Sequence, residues 1–201
     1  MKNFTYYTPT KVFFGKGEYK RIGEIVKSYG FQKVMIHYGG GSIIKSGLYD
    51  TVTKALDAEG IAWVAFGGAQ PNPTLDHATK GMKICVEEGV DLVLAVGGGS
   101  VIDSAKAIAF GALYEGDFAD YYFGKDVKNQ PQVPAALPIG TVLTIAAAGS
   151  EGSANSVINL EPGSLKRCAT GDLLRPKFSV LNPELTFTLP PFQTACGLTD
   201  I

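Results

Sequence analysis

Compact apolar runs alternate along the chain with segments whose apolar positions repeat at helical spacing. The runs at residues 34–36, 62–66 and 92–96 are bounded by polar residues or glycine, which is typical of strands covered on both faces of a parallel sheet. In the segments 22–29 and 48–56, apolar side chains recur three and four positions apart, which predicts amphipathic helices. Strands that alternate with such helices predict a doubly wound, mostly parallel α/β sheet.

The ends of the pattern add an edge strand, a hairpin and a final helix. Residues 12–14 predict a short edge strand, and residues 156–160 and 165–169 predict a β-hairpin across the turn between them. Pro190 and Pro191 predict the start of a helix, because proline suits the first helical turn. We therefore expect an α/β domain over residues 1–189 and the start of a helical domain over 190–201.

Composition and charge exclude several classes of protein. With 45% hydrophobic and 18% charged residues among 201, the chain can bury a core. A formal net charge of −1 argues against a nucleic-acid partner. The sequence has neither a signal-peptide pattern at its start nor an apolar stretch of membrane-spanning length, so we expect no membrane partner. Three widely spaced cysteines predict free thiols and a cytoplasmic location.

Glycine turns follow two of the predicted strands. Glycine lets a backbone approach a ligand closely, and its N–H groups together with a helix N-terminus suit phosphate. Neither turn has the third glycine of the GxGxxG motif, since Ile44 and Ile102 occupy that position, so tight turns without a ligand remain the alternative. The candidate residues are Gly39, Gly40, Gly41 and Ser42 in the first turn, and Gly97, Gly98, Gly99 and Ser100 in the second.

Polar residues near the predicted strand ends are further candidates. Asp103 and Lys106 lie three positions apart in the helix after the second turn, so they form either an ordinary ion pair or part of a reactive site. Thr141 and Thr144 supply hydroxyls after the strand near residue 137. His37 and His77 have no metal-ligand spacing, so we interpret the two histidines as structural.

Two segments together resemble a known family. The segment VGGGSVIDSAKAIA (96–109) resembles the GGGSxxDxAK motif of iron-containing (group III) alcohol dehydrogenases. The segment KFSVLNPELTFTLPPFQTACGLTDI (177–201) resembles the same family's approach to its first metal ligand. The similarity spans essentially the whole chain and is strongest to bacterial butanol dehydrogenases and aldehyde reductases. It implies that residues 1–189 form a dinucleotide-binding, dehydroquinate-synthase-like variant of the Rossmann fold. It also implies that residues 190–201 are the start of a helical, metal-binding domain whose remainder is missing from this sequence.

The resemblance also implies roles for individual residues. Gly98, Gly99 and Ser100 would hold the cofactor pyrophosphate. Asp103 would be the catalytic residue beside the nicotinamide, and Asp200 the first ligand of Fe²⁺ or Zn²⁺. Three departures from the family pattern put single contacts in doubt: Ala148, Ser153 and Asn182. Further cofactor contacts would come from Asn72, Thr141, Thr144, Lys166, Leu185 and Leu189.

The first glycine turn bears on the choice of cofactor. NAD-preferring relatives have an aspartate there, whereas residues 39–42 contain no carboxylate that would repel a 2′-phosphate. Backbone N–H groups and Ser42, with Lys45 nearby, suit that phosphate. We therefore expect NADP(H).

The function implied is metal-assisted hydride transfer between NADP(H) and a primary alcohol or aldehyde. Because the family's metal needs three histidines beyond the aspartate, we expect this chain to bind nucleotide without turning over substrate. One alternative is a non-catalytic nucleotide-binding or dimerising domain, and another is a relative of the zinc polyol dehydrogenases. A homodimer is expected through the exposed edge strand at residues 12–14.

Overall fold

A computed structural model describes residues 3–122, 132–160 and 165–200. Eight strands and six α-helices follow one another within these ranges. The strands are β1 (Lys11–Phe14), β2 (Lys33–Tyr38), β3 (Ala62–Phe66), β4 (Leu92–Gly97), β5 (Ile139–Leu143), β6 (Asn155–Asn159), β7 (Lys166–Thr170) and β8 (Phe178–Leu181). The helices are α1 (Ile22–Ser28), α2 (Ser42–Lys45), α3 (Leu48–Ala58), α4 (Leu75–Glu88), α5 (Gly99–Gly111) and α6 (Pro191–Asp200).

Six of the strands form one sheet in the order β1-β8-β5-β4-β2-β3. Every pairing in this sheet is parallel. β6 and β7 form a separate antiparallel pair. The predicted class, a doubly wound parallel sheet with a hairpin, is therefore confirmed, although the hairpin turn at residues 161–164 lies outside the described residues.

Alternate residues of the buried strands supply two hydrophobic cores, one on each face of the sheet. On β2, Val34 and Ile36 join one core, and Met35 between them joins the other. Residues two apart share a face of a strand, so a fully apolar run feeds both cores at once. α1 and α3 cover the first face, and α4 and α5 contribute to the core on the second. This two-sided burial explains why the central strands are continuously hydrophobic.

Local sequence signals set the helix boundaries that matter for the site. The Thr74 hydroxyl accepts a hydrogen bond from the His77 N–H and caps α4, as its position before an apolar helical face predicts. Gly89 ends this helix with a φ of 64°, which is a left-handed conformation that favours glycine. α6 begins at Pro191, as predicted, whereas a domain boundary at residue 189 stays a prediction. None of the helices in the described ranges is long and apolar enough to cross a membrane.

Candidate functional site

The two glycine turns meet at the point where the strand order reverses. The chain passes from β2 outward to β3 and then returns to β4 on the other side of β2. β2 and β4 are paired in register up to Tyr38 and Val96, and a glycine turn follows each strand. In open α/β sheets, the carboxyl ends of strands at such a switch point form the usual ligand crevice.

A cleft of about 510 Å³ opens at this edge of the sheet. One wall is the start of α5, another is the connection after β5, and the third is one face of α6. Among the residues that line the cleft are Gly40, Gln70, Gly98, Gly99, Ser100, Asp103, Ile145, Gly149, Ser150, Glu151, Lys166, Gln193, Cys196, Gly197 and Asp200. The fold therefore brings together segments that are more than 100 residues apart in the sequence.

Glycine is required in the second turn by close packing. A Cβ atom on Gly97 would lie 2.6 Å from Val101 Cγ2, and one on Gly99 would lie 3.3 Å from the Ser150 hydroxyl oxygen. A Cβ on Gly98 would overlap the side chain of Ile145. The turn thus presents bare backbone to the cleft at the N-terminus of α5, which is the arrangement that accommodates a phosphate group. The residues present therefore fit a dinucleotide.

Asp103 lies on the first turns of α5 and faces the same cleft. Its Oδ1 atom is buried and has no hydrogen-bond partner among the described residues. Burial raises the pKa of the Asp103 carboxyl above its usual value, although the charge of Lys106 and hydrogen bonds from Ser150 and the Val157 backbone oppose the shift. An incompletely paired carboxylate at a cleft wall is a candidate for contact with a ligand.

Lys106 is fully buried one turn further along α5. No salt bridge joins it to Asp103; the ammonium donates instead to the carbonyl oxygens of Ser150, Ser153 and Asn155 and to the Ser153 hydroxyl. The interpretation of Asp103 and Lys106 as an ordinary ion pair is therefore wrong. The ammonium lies beneath the cleft rather than in it. Burial lowers the pKa of Lys106 to about 8.

Seven of the fifteen predicted cofactor contacts line the cleft or a recess beside it. Asn72, with a φ of 57°, lines an adjoining recess and accepts a hydrogen bond of 3.0 Å from Lys166 Nζ. Their roles as cofactor contacts stay predictions. The predicted residues that line the cleft or its recess are Gly40, Asn72, Gly98, Gly99, Ser100, Asp103, Lys166 and Asp200.

The structure does not place several predicted contacts at this cleft. Thr141 is fully buried within β5 and donates to the Ser179 hydroxyl at 2.8 Å, because it lies inside the sheet rather than at the strand end. Leu185 packs against the core on the α1 and α3 face, and Leu189 lines a separate depression. Gly97 is buried beneath the cleft floor at the end of β4. The remaining predicted residues that do not line the cleft are Gly39, Gly41, Ser42 and Thr144.

Gln70, Ile145 and Cys196 are among the cleft residues that the sequence did not identify as site candidates. Gln70 and Ile145 lie in connections after strands and carry no motif. Cys196 lies four positions before Asp200 on α6, so one helical turn brings the thiol and the carboxylate to the same face. That spacing was the available signal for Cys196.

The two histidines have structural contacts, and the three cysteines are free thiols, as expected. His37 is fully buried, with its ring nitrogens 2.8 Å from the Phe66 carbonyl oxygen and 2.9 Å from the Ser104 hydroxyl. Burial lowers the pKa of His37 to about 3. His77 stacks on Phe66 with ring centroids 4.5 Å apart. Cys85, Cys168 and Cys196 are free thiols.

Asp200 is the predicted first metal ligand. Its carboxylate faces the cleft from α6, but the described ranges contain no group of three or more histidine, cysteine, aspartate or glutamate residues able to hold a metal ion. A protein metal site usually needs three or four such ligands. The described residues alone therefore do not fit an iron or zinc centre.

A doubly wound parallel sheet with a glycine-lined cleft at its switch point defines a protein of the dinucleotide-binding α/β class. The profile of the family "Iron-containing alcohol dehydrogenase" matches residues 9–183. The chain belongs to this family.

Relatives of known name agree with this assignment. NADH-dependent butanol dehydrogenase A of Clostridium acetobutylicum is 47% identical over 201 residues, covering 100% of this chain and 50% of the relative. NADPH-dependent aldehyde reductase YqhD of Escherichia coli is 39% identical over 204 residues, covering 100% of this chain and 50% of the relative. The crystal structure of an NADH-dependent butanol dehydrogenase A from Thermotoga maritima superposes with a TM-score of 0.94 at 46% identity, over 100% of this chain and 49% of that one. The chain thus spans about half the length of the relatives it matches.

Proposed function

We propose that the whole protein transfers a hydride between a nicotinamide dinucleotide and a primary alcohol or aldehyde. The observation that carries the proposal is the convergence of the second glycine turn, the Gly149–Glu151 connection and the Asp200 face of α6 on one cleft. Membership of the iron-containing alcohol dehydrogenase family supports the same chemistry. When bound, the nicotinamide supplies or accepts the hydride, and the protein orients it.

The chain's own residues have separate tasks in this proposal. The backbone of Gly98 and Gly99 and the Ser100 side chain bind the cofactor phosphates at the N-terminus of α5. Lys166 adds a positive charge to the cleft and is oriented by Asn72. Asp103 lies beside the reactive end of the cofactor and fixes its position through the oxygen that has no partner within the described residues.

We propose NADP(H) as the preferred cofactor. Residues 39–42 contain no carboxylate, and the exposed side chains of Ser42 and Lys45 lie beside the first glycine turn. A carboxylate at this place would repel a 2′-phosphate, so its absence favours the phosphorylated cofactor. The relatives carry both NADH-dependent and NADPH-dependent names, so cofactor preference has to be measured directly.

For the 201-residue chain by itself, we propose nucleotide binding without turnover, because its described residues do not complete a metal site. Asp200 would serve as a metal ligand only together with residues from elsewhere in a longer protein. The test is the Asp200→Ala variant of the whole protein. Loss of butanol oxidation with unchanged NADP⁺ binding supports the assignment, and full activity contradicts it.

We also propose a homodimer paired through β1. This strand lies at the edge of the sheet, and Val12 and Phe14 on it are exposed by 53% and 70%. An exposed strand edge with large apolar side chains is a site for pairing with a second chain.

A further inference from the structure

The segment 149–155 forms one wall of the cleft and its recess without helix or strand structure through residue 154. A wall of irregular backbone must be held by other groups if it is to keep one shape. Each of its carbonyl oxygens has a donor. Backbone N–H groups bond the oxygens of Gly149 and Ala154, and buried or half-buried side chains bond the rest.

Three side chains from beneath the wall supply those bonds. Ser179 on β8 donates to the Glu151 carbonyl oxygen at 2.6 Å, and Arg175 donates to that of Gly152 at 2.8 Å. Lys106 alone bonds the carbonyl oxygens of three residues, at 2.7, 2.9 and 2.8 Å, and the Ser153 hydroxyl at 3.1 Å. One ammonium group therefore holds three of the seven carbonyl oxygens of the wall, more than any other donor does.

The position of Lys106 makes this arrangement strong. A buried ammonium is costly unless its N–H groups all find acceptors, and here three donors meet four acceptor atoms. Lys106 is also on the same helix as Ser100 and Asp103, which line the cleft from the opposite side. One helix thus presents cleft residues and anchors the facing wall.

The orientation of the carbonyl groups has a consequence for the cleft. In a trans peptide the C=O and the following N–H point in opposite directions. Because Lys106 bonds the carbonyl oxygens of Ser150 and Ser153, the N–H groups of Glu151 and Ala154 are turned away from the buried ammonium. Without the ammonium, carbonyl oxygens would be free to rotate toward the cleft, where they would repel an anionic ligand.

We infer that Lys106 is a positioning residue, which fixes the wall at residues 149–155 and thereby sets the affinity of the cleft for a dinucleotide. The second half of this inference rests on the proposed function. Nothing in it requires Lys106 to touch the ligand.

The test compares three variants with the unaltered 201-residue chain. Lys106→Met removes the ammonium at similar length. Ser153→Ala removes one of its four acceptors, together with the 3.4 Å bond that the hydroxyl accepts from the Asn155 N–H, and keeps the three carbonyl oxygens that Lys106 bonds. Lys20→Met is the matched control, since Lys20 is an exposed lysine far from the cleft in the sequence. For each protein, amide hydrogen exchange of residues 149–155, the Kd for NADPH and the unfolding midpoint are measured.

We expect faster exchange at residues 149–155 in Lys106→Met, with exchange in β2 and β4 unchanged. The Kd for NADPH should rise about tenfold, which corresponds to about 1.4 kcal/mol. Ser153→Ala should raise it roughly twofold to fivefold, and Lys20→Met should not change it. If Lys106→Met does not fold, the exchange and affinity measurements on Ser153→Ala decide whether the inference holds.

A pH profile separates positioning from general stability. Above pH 8 the amine loses one donor, so the affinity of the unaltered chain for NADPH should fall between pH 7.5 and 9.5, and that of Lys106→Met should stay flat. The charged or titratable groups near Lys106 are Asp103, Glu151, Cys168 and Arg175, and all are retained in the variant. Equal exchange and equal affinity in Lys106→Met would overturn the inference. If no protein binds NADPH, the proposed function fails, and the exchange data alone decide whether Lys106 holds the wall.

Discussion

Replacing Gly97 by alanine tests the packing beneath the cleft floor. The added Cβ would lie 2.6 Å from Val101 Cγ2 and 2.9 Å from Val101 Cβ. Ordinary carbon–carbon contacts are about 3.5–4.0 Å, so the two groups must separate by roughly 1 Å. Val101 is buried and β-branched, so it has little rotameric freedom to move aside. The first turn of α5 must therefore shift away from β4.

The expected cost follows from the overlap. Inserting a methyl group into a well-packed site typically costs about 1–3 kcal/mol. For a chain of this size, that lowers the melting temperature by roughly 2–12 °C. Moving the N-terminus of α5 also displaces the backbone of Gly98 and Gly99, so the affinity for NADPH should fall by at least about tenfold.

Gly152→Ala is the matched control for the stability measurement only, because Gly152 belongs to the wall at residues 149–155 that is proposed to set the affinity. A Cβ there meets only the Gly149 carbonyl oxygen at 4.0 Å, and Gly152 does not have a positive φ. Alanine at such a position should leave stability unchanged or raise it by up to about 1 kcal/mol. Differential scanning calorimetry of both variants, and NADPH titration of Gly97→Ala, give the result. If Gly97→Ala melts and binds like the unaltered chain, the packing argument for the second glycine turn is refuted.

Three further predictions concern pH, the cleft carboxylate and assembly. The pKa of His37 is about 3 in the folded state against 6.5 in the unfolded state, so stability that is present above pH 6.5 is lost as the pH falls from 6.5 toward 3. Urea unfolding should therefore show about 2 kcal/mol less stability at pH 5 than above pH 6.5. His37→Gln should remove that loss, and an unchanged loss in the variant would contradict the interpretation. Asp103→Asn should stabilise the fold at pH 7 by about 1 kcal/mol in the same assay while weakening NADPH binding, because burial disfavours the Asp103 carboxylate; a loss of stability would show that the charge is well paired. Val12→Lys should convert a dimer to a monomer in sedimentation velocity without changing the melting temperature by more than about 2 °C, and a monomeric unaltered chain would rule out pairing through β1.

The sheet was predictable from the sequence because its strands are buried on both faces. The apolar run at residues 92–96 ends one residue before β4 does, at Gly97, and the two predicted hairpin strands differ from β6 and β7 by one residue at each end. Continuous hydrophobic runs, and the glycines that bound them, are local properties of the sequence. They can therefore be recognised without knowledge of which segments pack together in the fold.

The contacts of individual polar side chains were not predictable in the same way. Spacing along α5 suggested that Lys106 pairs with Asp103, but its acceptors lie 44 to 49 residues away in the chain. The Thr141 hydroxyl was predicted to follow a strand near residue 137. Strand β5 instead continues to Leu143, so Thr141 is buried within the strand. Both outcomes depend on which segments the fold brings together, and neither periodicity nor motif spacing contains that information.

The central claim is that the glycine-lined cleft binds a phosphorylated nicotinamide dinucleotide. Isothermal titration calorimetry of the 201-residue chain with NADPH, and separately with NADH, tests it most directly. We predict saturable binding of one NADPH per chain and an affinity for NADH at least about tenfold weaker, a difference of about 1.4 kcal/mol. Tighter binding of NADH would contradict the assignment of the first glycine turn, and binding of neither would contradict the claim itself.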